Sequence, residues 1–372
     1  MRICHLSYDD IGNPWLGGGG ALRAREIYRR LAARHEITVV CGGYPGAAAE
    51  EKVDGIRFLR TGSARSYAGS RLAYCRTAPG RLRELSWDVW VNEFSAFAPL
   101  RTPAYLRRRG ILFFYHFVGA HALAKHPLVG GVSWAAERWA LRAYSNIVTI
   151  SPSMQEQVRS RLRSRLWLRR PPSTIDCVYS GVDPSCFELM PSEGDYLLYF
   201  GRVDVHTKGL DTLVAAFASL APRHPGLRLR LAGRGRQQEI ARLGRLVEAS
   251  GAAGQIELVG AVDERTKGEL LAGALFVCAP SRYEGWCIAA VEASAAGKAV
   301  LGTEIDGLRD AVRAGETGLL VPPGDPEALA AGMTQLLANA DRRQRLGDRF
   351  RDAVLRPSCK EKLLALGNVH SH

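Results

Sequence analysis

The stretch Ser281-Arg-Tyr-Glu-Gly-Trp-Cys-Ile-Ala-Ala-Val-Glu-Ala-Ser-Ala-Ala-Gly297 decides how the C-terminal half of this chain is interpreted. The apolar run Leu275–Ala279 precedes it and is typical of a buried strand. From residue 287 to residue 296 the side chains are mostly small or apolar, which predicts a packed helix. Two carboxylates therefore belong to one strand-to-helix connection, with Glu284 in the loop and Glu292 about one turn inside the helix.

This connection has the chemistry of a nucleotide-sugar site. Backbone N–H groups at the predicted helix N-terminus face outward, where unpaired donors and the helix dipole favour a diphosphate. They belong to Gly285, Trp286, Cys287 and Ile288. Glu284 is suited to accept hydrogen bonds from sugar hydroxyls, and the deeper Glu292 to accept both hydroxyls of a ribose. Two glutamates alone are more often surface ion pairs, so the interpretation depends on the rest of the sequence.

A second motif supplies positive charge. The segment Tyr196–Gly201 is typical of a strand that ends in glycine, and Arg202 and Lys208 flank the short loop that follows it. Two cations at the mouth of a sheet would neutralise a diphosphate, and an arginine can do so with two parallel hydrogen bonds. A single Arg or Lys at a loop is usually only solvated. The combination of the two motifs therefore carries the interpretation.

With these motifs in order, the chain resembles glycosyltransferase family 4, the retaining nucleotide-sugar glycosyltransferases of the GT-B fold. Three further segments contribute to the resemblance: Leu229–Gly235, Gln255–Ala261 and Thr317–Gly324. It covers nearly the whole chain and is densest from Asp195 to about Asp325. It implies an α/β fold of two doubly wound, Rossmann-like domains whose parallel sheets face a central cleft.

The order of strand-like and helix-like segments agrees with this fold. Alternating strands and helices predict parallel sheets covered on both faces. Strand-like segments begin at Arg2, Glu36, Ile56, Asp88, Ile111, Ile147 and Thr174, and the pattern restarts at Tyr196. Pro, Gly and Asp interrupt it between Ser180 and Asp195. We therefore expect one domain over 1–188 and a second over 189–349. The resemblance implies that the first binds the acceptor and the second the donor, and that a helix at about 350–368 crosses back to the first domain.

The first domain contains a glycine run, Gly17–Gly20, between the first strand and a predicted helix. A glycine turn at the ligand edge of a doubly wound sheet lets the backbone approach a phosphate closely. The resemblance aligns Gly19 and Gly20 with the family's paired glycines, and the four consecutive glycines leave this register open by one or two positions. No G-x-G-x-x-G pattern with a ribose-binding acid is present, so we predict no nicotinamide cofactor, and no cofactor of any kind.

The resemblance also assigns roles to two less distinctive positions. His116 follows the predicted strand Ile111–Tyr115 and matches the family's histidine that lies by the donor sugar and the acceptor, with His121 as its competitor. Main-chain groups near Gly233 are expected to recognise the base. The histidines lack the spacing of helical metal ligands, and the cysteines are scattered with no C-x-x-C pair, so we predict no metal site.

The positive charge is concentrated in the first domain. The chain has 50 Lys and Arg against 37 Asp and Glu, and residues 1–190 contain 27 and 15 of these. The densest run, residues 159–170, interleaves arginines with Leu and Trp167. Such a segment can lie on an anionic membrane, steer an anionic acceptor or simply be solvated. No nucleic-acid-binding module is recognisable, so nucleic acid is not an expected partner.

No stretch approaches the roughly 18 consecutive apolar residues of a membrane-spanning helix, and the segment Met1–Ser7 is too quickly polar for a signal peptide. We therefore expect the protein in the cytoplasm, with peripheral contact at the inner face of the cell membrane as a further hypothesis.

The resemblance implies transfer of a hexosyl group from a nucleoside diphosphate sugar, most simply a UDP or GDP sugar, to an acceptor hydroxyl with retention and without a metal. The expected catalytic residues are His116, Arg202, Lys208 and Glu284. The expected substrate-binding residues are Gly19, Gly20, Gly233, Gly285, Trp286, Cys287, Ile288 and Glu292. A GT-B enzyme of other chemistry, such as a nucleotide-sugar epimerase, and a non-catalytic nucleotide-sugar binder remain the alternatives.

Overall fold

A computed structural model describes residues 1–15, 18–94, 102–117, 127–163 and 172–355. Over these residues the chain forms two compact units that divide between Tyr179 and Ser180. This point precedes the expected boundary at 188, because the short helix Ser185–Glu188 lies against the helix Ile288–Ala295 of the second unit. Most of the predicted crossing helix at about 350–368 lies outside the described residues.

The first unit contains an eight-stranded sheet in the order β3-β4-β2-β1-β5-β6-β7-β8. Its strands are β1 Arg2–Leu6, β2 Glu36–Gly42, β3 Glu50–Val53, β4 Ile56–Thr61, β5 Val89–Glu93, β6 Ile111–Phe114, β7 Asn146–Thr149 and β8 Thr174–Cys177. Its described helices are α1 Gly19–Leu31, α2 Tyr67–Glu84, α3 Ala104–Arg109, α4 Pro127–Ala143 and α5 Pro152–Arg163. Every pair of neighbouring strands is parallel except β3 with β4.

The second unit contains a six-stranded, fully parallel sheet in the order β11-β10-β9-β12-β13-β14. Its strands are β9 Tyr196–Phe200, β10 Arg228–Ala232, β11 Ile256–Gly260, β12 Val277–Ala279, β13 Val300–Thr303 and β14 Gly318–Val321. Its described helices are α6 Ser185–Glu188, α7 Leu210–Leu220, α8 Gln237–Ala249, α9 Glu264–Gly273, α10 Ile288–Ala295, α11 Asp306–Ala311, α12 Pro326–Leu337 and α13 Ala340–Leu355, with short 3₁₀ turns at Ala221–Arg223 and Ala253–Gln255. The predicted α/β class with two parallel-sheet domains is confirmed.

The strand β9 shows why the second sheet is apolar along its whole width. Leu197 and Tyr199 enter one buried cluster, and Tyr196 and Leu198 enter another on the opposite face. A strand buried on both faces is a continuous apolar run, and its parallel neighbours must be joined by helices that cover those faces. Polar groups that act on a ligand are therefore confined to the connections at the sheet edge.

The end of β10 is packed tightly against the end of β9. Gly233, just after β10, has a φ of +150°, and a Cβ placed on it would lie 1.7 Å from the carbonyl oxygen of Gly201. Only glycine fits such a backbone conformation and such a contact. The carboxyl ends of these two neighbouring strands are thus held side by side.

A buried lysine ties the segment before β9 to the body of the second unit. Lys298 is 3% exposed and donates hydrogen bonds to the carbonyl oxygens of Ser192 and Ala274. One residue further, Glu193 accepts two hydrogen bonds from the buried Arg343, at 2.9 and 2.6 Å. Burial lowers the pKa of Lys298 to about 8, against the opposing effect of the Glu193 charge.

Replacing Lys298 with methionine is expected to change how stability depends on pH. The pKa of Lys298 is about 8 in the folded protein and near 10.4 in an unfolded chain, so the unfolded chain binds more protons between these values. The stability of the wild type should then rise with pH relative to Lys298→Met, by about 3 kcal/mol from about pH 7.5 to 10.5. Denaturant unfolding at a series of pH values measures the difference.

The exposed Lys52→Met variant is the control for the loss of one lysine. A stability difference between wild type and Lys298→Met that stays constant over this pH range would contradict the assignment.

Candidate functional site

The carboxyl edge of the second sheet brings the two sequence motifs together. Strands β9 and β12 are neighbours in the sheet, so the connections that leave them begin next to each other. The connection after β9 carries Arg202 and Lys208, and the one after β12 carries Glu284. Gly233 follows β10, on the other side of β9. These residues therefore lie along one edge of one sheet.

Lys208 and Glu284 form an ion pair. Nζ of Lys208 is 2.7 Å from both carboxylate oxygens of Glu284, and the side chains are 16% and 14% exposed. A partly buried pair held by two short hydrogen bonds is stronger than an exposed one, because less water screens its charges. The structure thus places a cation and a carboxylate, which the sequence assigned to different parts of a ligand, in direct contact.

Arg202 has an exposed side chain on a fixed backbone. Its carbonyl oxygen accepts a hydrogen bond of 2.7 Å from the hydroxyl of Tyr199, which is 3% exposed. Burial, followed by the charge of Glu284, raises the pKa of Tyr199 well above its usual value, so this hydroxyl remains a donor at neutral pH. The guanidinium of Arg202 is available at the surface of the same edge.

The helix α10 begins at Ile288, one residue after the start that the sequence predicts. Cys287 is its N-cap, and the N–H groups of Ala290 and Val291 donate to the Cys287 carbonyl at 3.1 and 3.3 Å. The amides of Gly285 to Ile288 precede these first intrahelical bonds, as an anion site at a helix N-terminus requires. Burial raises the pKa of the Cys287 thiol to about 12, so its side chain is an unreactive core group and not a nucleophile.

The loop that carries Glu284 is supported from the other side by the helix α11. A Cβ placed on Gly307, in the first turn of that helix, would lie 2.5 Å from the carbonyl oxygen of Glu284. A larger residue would therefore displace the loop backbone. In this way the helix α11 fixes the path of the chain from Glu284 to Gly285.

Glu292 has a partner that the sequence analysis did not identify. The carboxylate is 5% exposed, and its Oε1 lies 3.0 Å from Nζ of Lys267, which comes from α9 and is 5% exposed. Lys267 also contacts the exposed Glu264 at 2.5 Å. Although burial acts to lower the pKa of Lys267, the charges of Glu292 and Glu264 raise it above its usual value. A lysine inside an amphipathic helix gives no sequence signal of such a pairing.

In the first unit, Gly19 and Gly20 are the first residues of α1. The N–H of Gly18 donates to Asp9 Oδ2 at 3.0 Å, and a Cβ on Gly20 would lie 3.2 Å from Oε1 of Glu93. Two carboxylates therefore lie near this helix N-terminus. Contact between Gly19 or Gly20 and a phosphate remains a prediction, and it would have to overcome the repulsion of these charges.

His116 lies two residues after β6 and is half-buried. Its competitor His121 lies outside the described residues. Glu93, at the end of β5, accepts a hydrogen bond from the Ser7 hydroxyl and was not recognised from the sequence. A carboxylate at the end of a predicted strand could have signalled it. Among the described side chains, no group of three or more His, Cys, Asp or Glu residues is arranged to hold a metal ion.

Comparison with protein families assigns both halves of the chain. The model for "Glycosyltransferase Family 4" matches residues 17–185, and the model for "Glycosyl transferases group 1" matches residues 187–352. The two matches adjoin each other, and they meet shortly after the division of the chain into two units.

Curated relatives match over part of their length. A phosphatidyl-myo-inositol mannosyltransferase of Mycolicibacterium smegmatis is 34% identical over 167 residues, which are 45% of this chain and 42% of the relative. A glycogen synthase of Mycobacterium tuberculosis is 32% identical over 222 residues, 57% of this chain and 50% of the relative. The matched part of the chain thus spans about half the length of these relatives.

Solved structures match over the whole chain. Sucrose-phosphate synthase from Thermosynechococcus elongatus superposes with a TM-score of 0.80 and 22% identity, covering 99% of this chain and 98% of that one. Anabaena HepE in complex with UDP-glucose superposes with a TM-score of 0.74 and 17% identity, covering 99% and 98%. The fold is that of the GT-B glycosyltransferases. With family matches over both halves, the chain belongs to glycosyltransferase family 4.

The pairing of Lys267 with Glu292 yields a stability prediction. Lys267→Met leaves the buried Glu292 carboxylate without its partner, and we expect it to lower the free energy of unfolding by about 3 kcal/mol. Adding Glu292→Met to that variant should recover most of the loss, because no unpaired charge then remains. Equilibrium denaturation of the variants measures both effects.

Glu264→Gln is the matched control, since Glu264 contacts the same lysine but is 76% exposed and should contribute much less. Equal losses for Glu264→Gln and Lys267→Met would show that the buried pair is not the stabilising contact.

Proposed function

We propose that this chain transfers a hexosyl group from a nucleoside diphosphate sugar, a UDP or GDP sugar, to an acceptor hydroxyl on a glycan, lipid or natural product, with retention at the anomeric carbon. The observation that carries the proposal is the contact between Lys208 and Glu284 beside the N-terminus of α10. The crystallised complex of the similar HepE with UDP-glucose supports a donor of this class.

The main physical demand of this reaction is charge on the departing diphosphate. In the proposal, Lys208, Arg202 and the amides from Gly285 to Ile288 stabilise that charge together. Groups that are already oriented in the free protein need no reorganisation at the moment of reaction, and their effect is large where water is excluded. Glu284 then accepts hydrogen bonds from the hydroxyls of the transferred sugar.

The proposed step is a front-face displacement that needs no metal. The bond from the anomeric carbon to the diphosphate oxygen breaks, and its electron pair stays on the leaving diphosphate. The acceptor oxygen forms a new bond to the anomeric carbon on the same face, and its proton passes to a leaving phosphate oxygen. The resemblance gives Gly19 and Gly20 a role at the phosphate, Gly233 a role at the base and His116 a role at the sugar and acceptor.

Glu292 is proposed to hold the ribose. Its pairing with Lys267 keeps the carboxylate in place within a buried environment, where a hydrogen bond to a charged acceptor is strong. Alanine at this position would leave Lys267 without any acceptor on residue 292, so Glu292→Gln is the more informative substitution. It retains the size of the side chain and one carbonyl acceptor.

A panel of UDP, GDP, ADP and dTDP sugars in thermal-shift measurements is expected to identify one preferred donor, since a ligand at 100 times its Kd stabilises the folded state by about 2.7 kcal/mol. Glu292→Gln should weaken binding of that nucleotide by about 1 to 3 kcal/mol.

Arg202→Gln and Lys208→Met should lower kcat more than they weaken binding, because they act mainly on the departing charge. Product analysis should show a retained anomeric configuration.

Arg223→Gln is the matched control, because Arg223 is exposed at the far end of α7, away from the carboxyl edge. Three outcomes would contradict the proposal. Conversion of the donor to an epimer without acceptor would indicate an epimerase, donor binding with no nucleotide release under any acceptor would indicate a binder, and wild-type rates for Arg202→Gln and Lys208→Met would remove those residues from the mechanism.

The first unit is also proposed to contact anionic membranes. Arg159 and Arg163 are exposed on the helix α5, where Arg163 lies 3.8 Å from Glu156, and the preceding helix α4 exposes Leu128 and Trp134, by 89% and 45%. Basic and exposed apolar side chains together favour an anionic lipid surface. The rest of the basic run, at 164–170, lies outside the described residues. Within the described part of the chain, no helix combines the length and apolar character that a membrane span requires.

We expect the protein to co-float with vesicles containing anionic lipid at low salt, and to be released at high salt because the attraction is screened. The double charge reversal Arg159→Glu and Arg163→Glu should weaken this binding. The same reversal at the exposed Arg242 and Arg245 of α8 is the control. Failure of the wild type to bind anionic vesicles at low salt would remove this part of the proposal.

A further inference from the structure

Arg282, two residues before Glu284, joins the two loops of the candidate site through its side chain. Its Nη1 donates to the carbonyl oxygen of His206 at 3.0 Å and contacts Asp211 Oδ1 at 2.6 Å. Its Nη2 donates to the Thr212 hydroxyl at 2.8 Å. The first partner belongs to the loop that carries Lys208, and the other two belong to the first turn of α7, which follows that loop.

The same two loops also touch through their backbones. The N–H of Arg282 donates to the carbonyl oxygen of Thr207 at 3.0 Å. Gly209, with a φ of +64°, lies so close to Pro280 that a Cβ on it would be 2.0 Å from the Pro280 carbonyl oxygen. Lys208 is therefore enclosed between two points, Thr207 and Gly209, at which its loop is fixed to the loop of Glu284.

The guanidinium fork is suited to this task. It is planar and rigid, and here its two terminal nitrogens engage a carbonyl, a carboxylate and a hydroxyl at once. A lysine at this position would present a single point charge and could not hold all three acceptors in one geometry. With both terminal nitrogens committed to protein acceptors, Arg282 acts through the loops and not as a donor to the ligand.

We infer that Arg282 is a positioning residue that sets the distance between Lys208 Nζ and the Glu284 carboxylate. The inference rests on the proposed function, in which Lys208 contacts the diphosphate and Glu284 contacts the transferred sugar. A displacement of about 1 Å between groups that must act together can lower a rate about 100-fold. Nucleotide affinity depends in the proposal mainly on Glu292, on main-chain groups and on the attraction by Arg202, and Arg282 contacts none of these through the bonds described above.

The expected result for Arg282→Gln is a 10- to 100-fold lower kcat with a nucleotide Kd within threefold of the wild type. Arg282→Lys should resemble Arg282→Gln, because the fork and not the charge is required. Asp211→Asn removes one partner of the same fork, so combining it with Arg282→Gln should add little further loss. Arg265→Gln, at an arginine whose side chain is 88% exposed, is the control and should leave kcat unchanged.

A second measurement needs no turnover. The coupling between Lys208 and Glu284 is obtained from the unfolding of Lys208→Met, Glu284→Gln and their double variant, with and without Arg282→Gln. We expect this coupling to fall by at least half when Arg282 is replaced. If the wild type transfers no sugar from any donor, the proposed function fails, while this coupling still decides whether Arg282 positions the pair.

An unchanged coupling in the Arg282→Gln background would overturn the inference. So would an unchanged kcat in an active enzyme, full rescue by Arg282→Lys, or a parallel loss of kcat, nucleotide affinity and thermal stability, which would indicate a general structural role.

Discussion

Burial of the second sheet on both faces is the constraint on which the candidate site depends. The strand β9 sends alternate side chains into two separate apolar clusters, so an unpaired charge within it would be costly. Functional side chains are therefore confined to the connections at the carboxyl edge. Because β9 and β12 are adjacent, Lys208 and Glu284 meet there although 76 residues separate them in the sequence.

Their ion pair has a consequence for ligand binding. With its charge balanced by Glu284, Lys208 adds no net positive charge to the site, so in the proposed function the exposed Arg202 and the amides before α10 would provide the first attraction for a diphosphate. Entry of the donor would then divide the pair, with the ammonium turning to phosphate and the carboxylate to sugar hydroxyls. In the free protein the ion pair keeps both groups at the site on loops whose backbones are already fixed to each other, so the change on donor binding would be one of side chains.

The sequence was sufficient to predict the elements of the site and insufficient to predict their partners. The apolar run before Pro280 and the small residues after Trp286 predict the strand and helix that the structure contains, because burial on both faces leaves a local pattern. Lys267 and Arg282 find their partners 25 and 71 residues away, and no spacing rule records such contacts. The sequence analysis did not identify the edge strand β3, because its sequence Glu-Glu-Lys-Val is largely exposed and does not alternate apolar with polar residues.

Three cations form ion pairs at the connection between β12 and α10 or in the helix that follows it. Lys208 binds Glu284 from the loop after β9, Lys267 binds Glu292 from α9, and Arg282 reaches from the connection itself to Asp211 on α7. Each carboxylate of the motif is paired with its own cation, and burial raises the pKa of Glu292 against the lowering effect of the Lys267 charge. In the proposed function, this pairing would let one short segment serve both a diphosphate, through its amides, and hydroxyl groups, through its carboxylates.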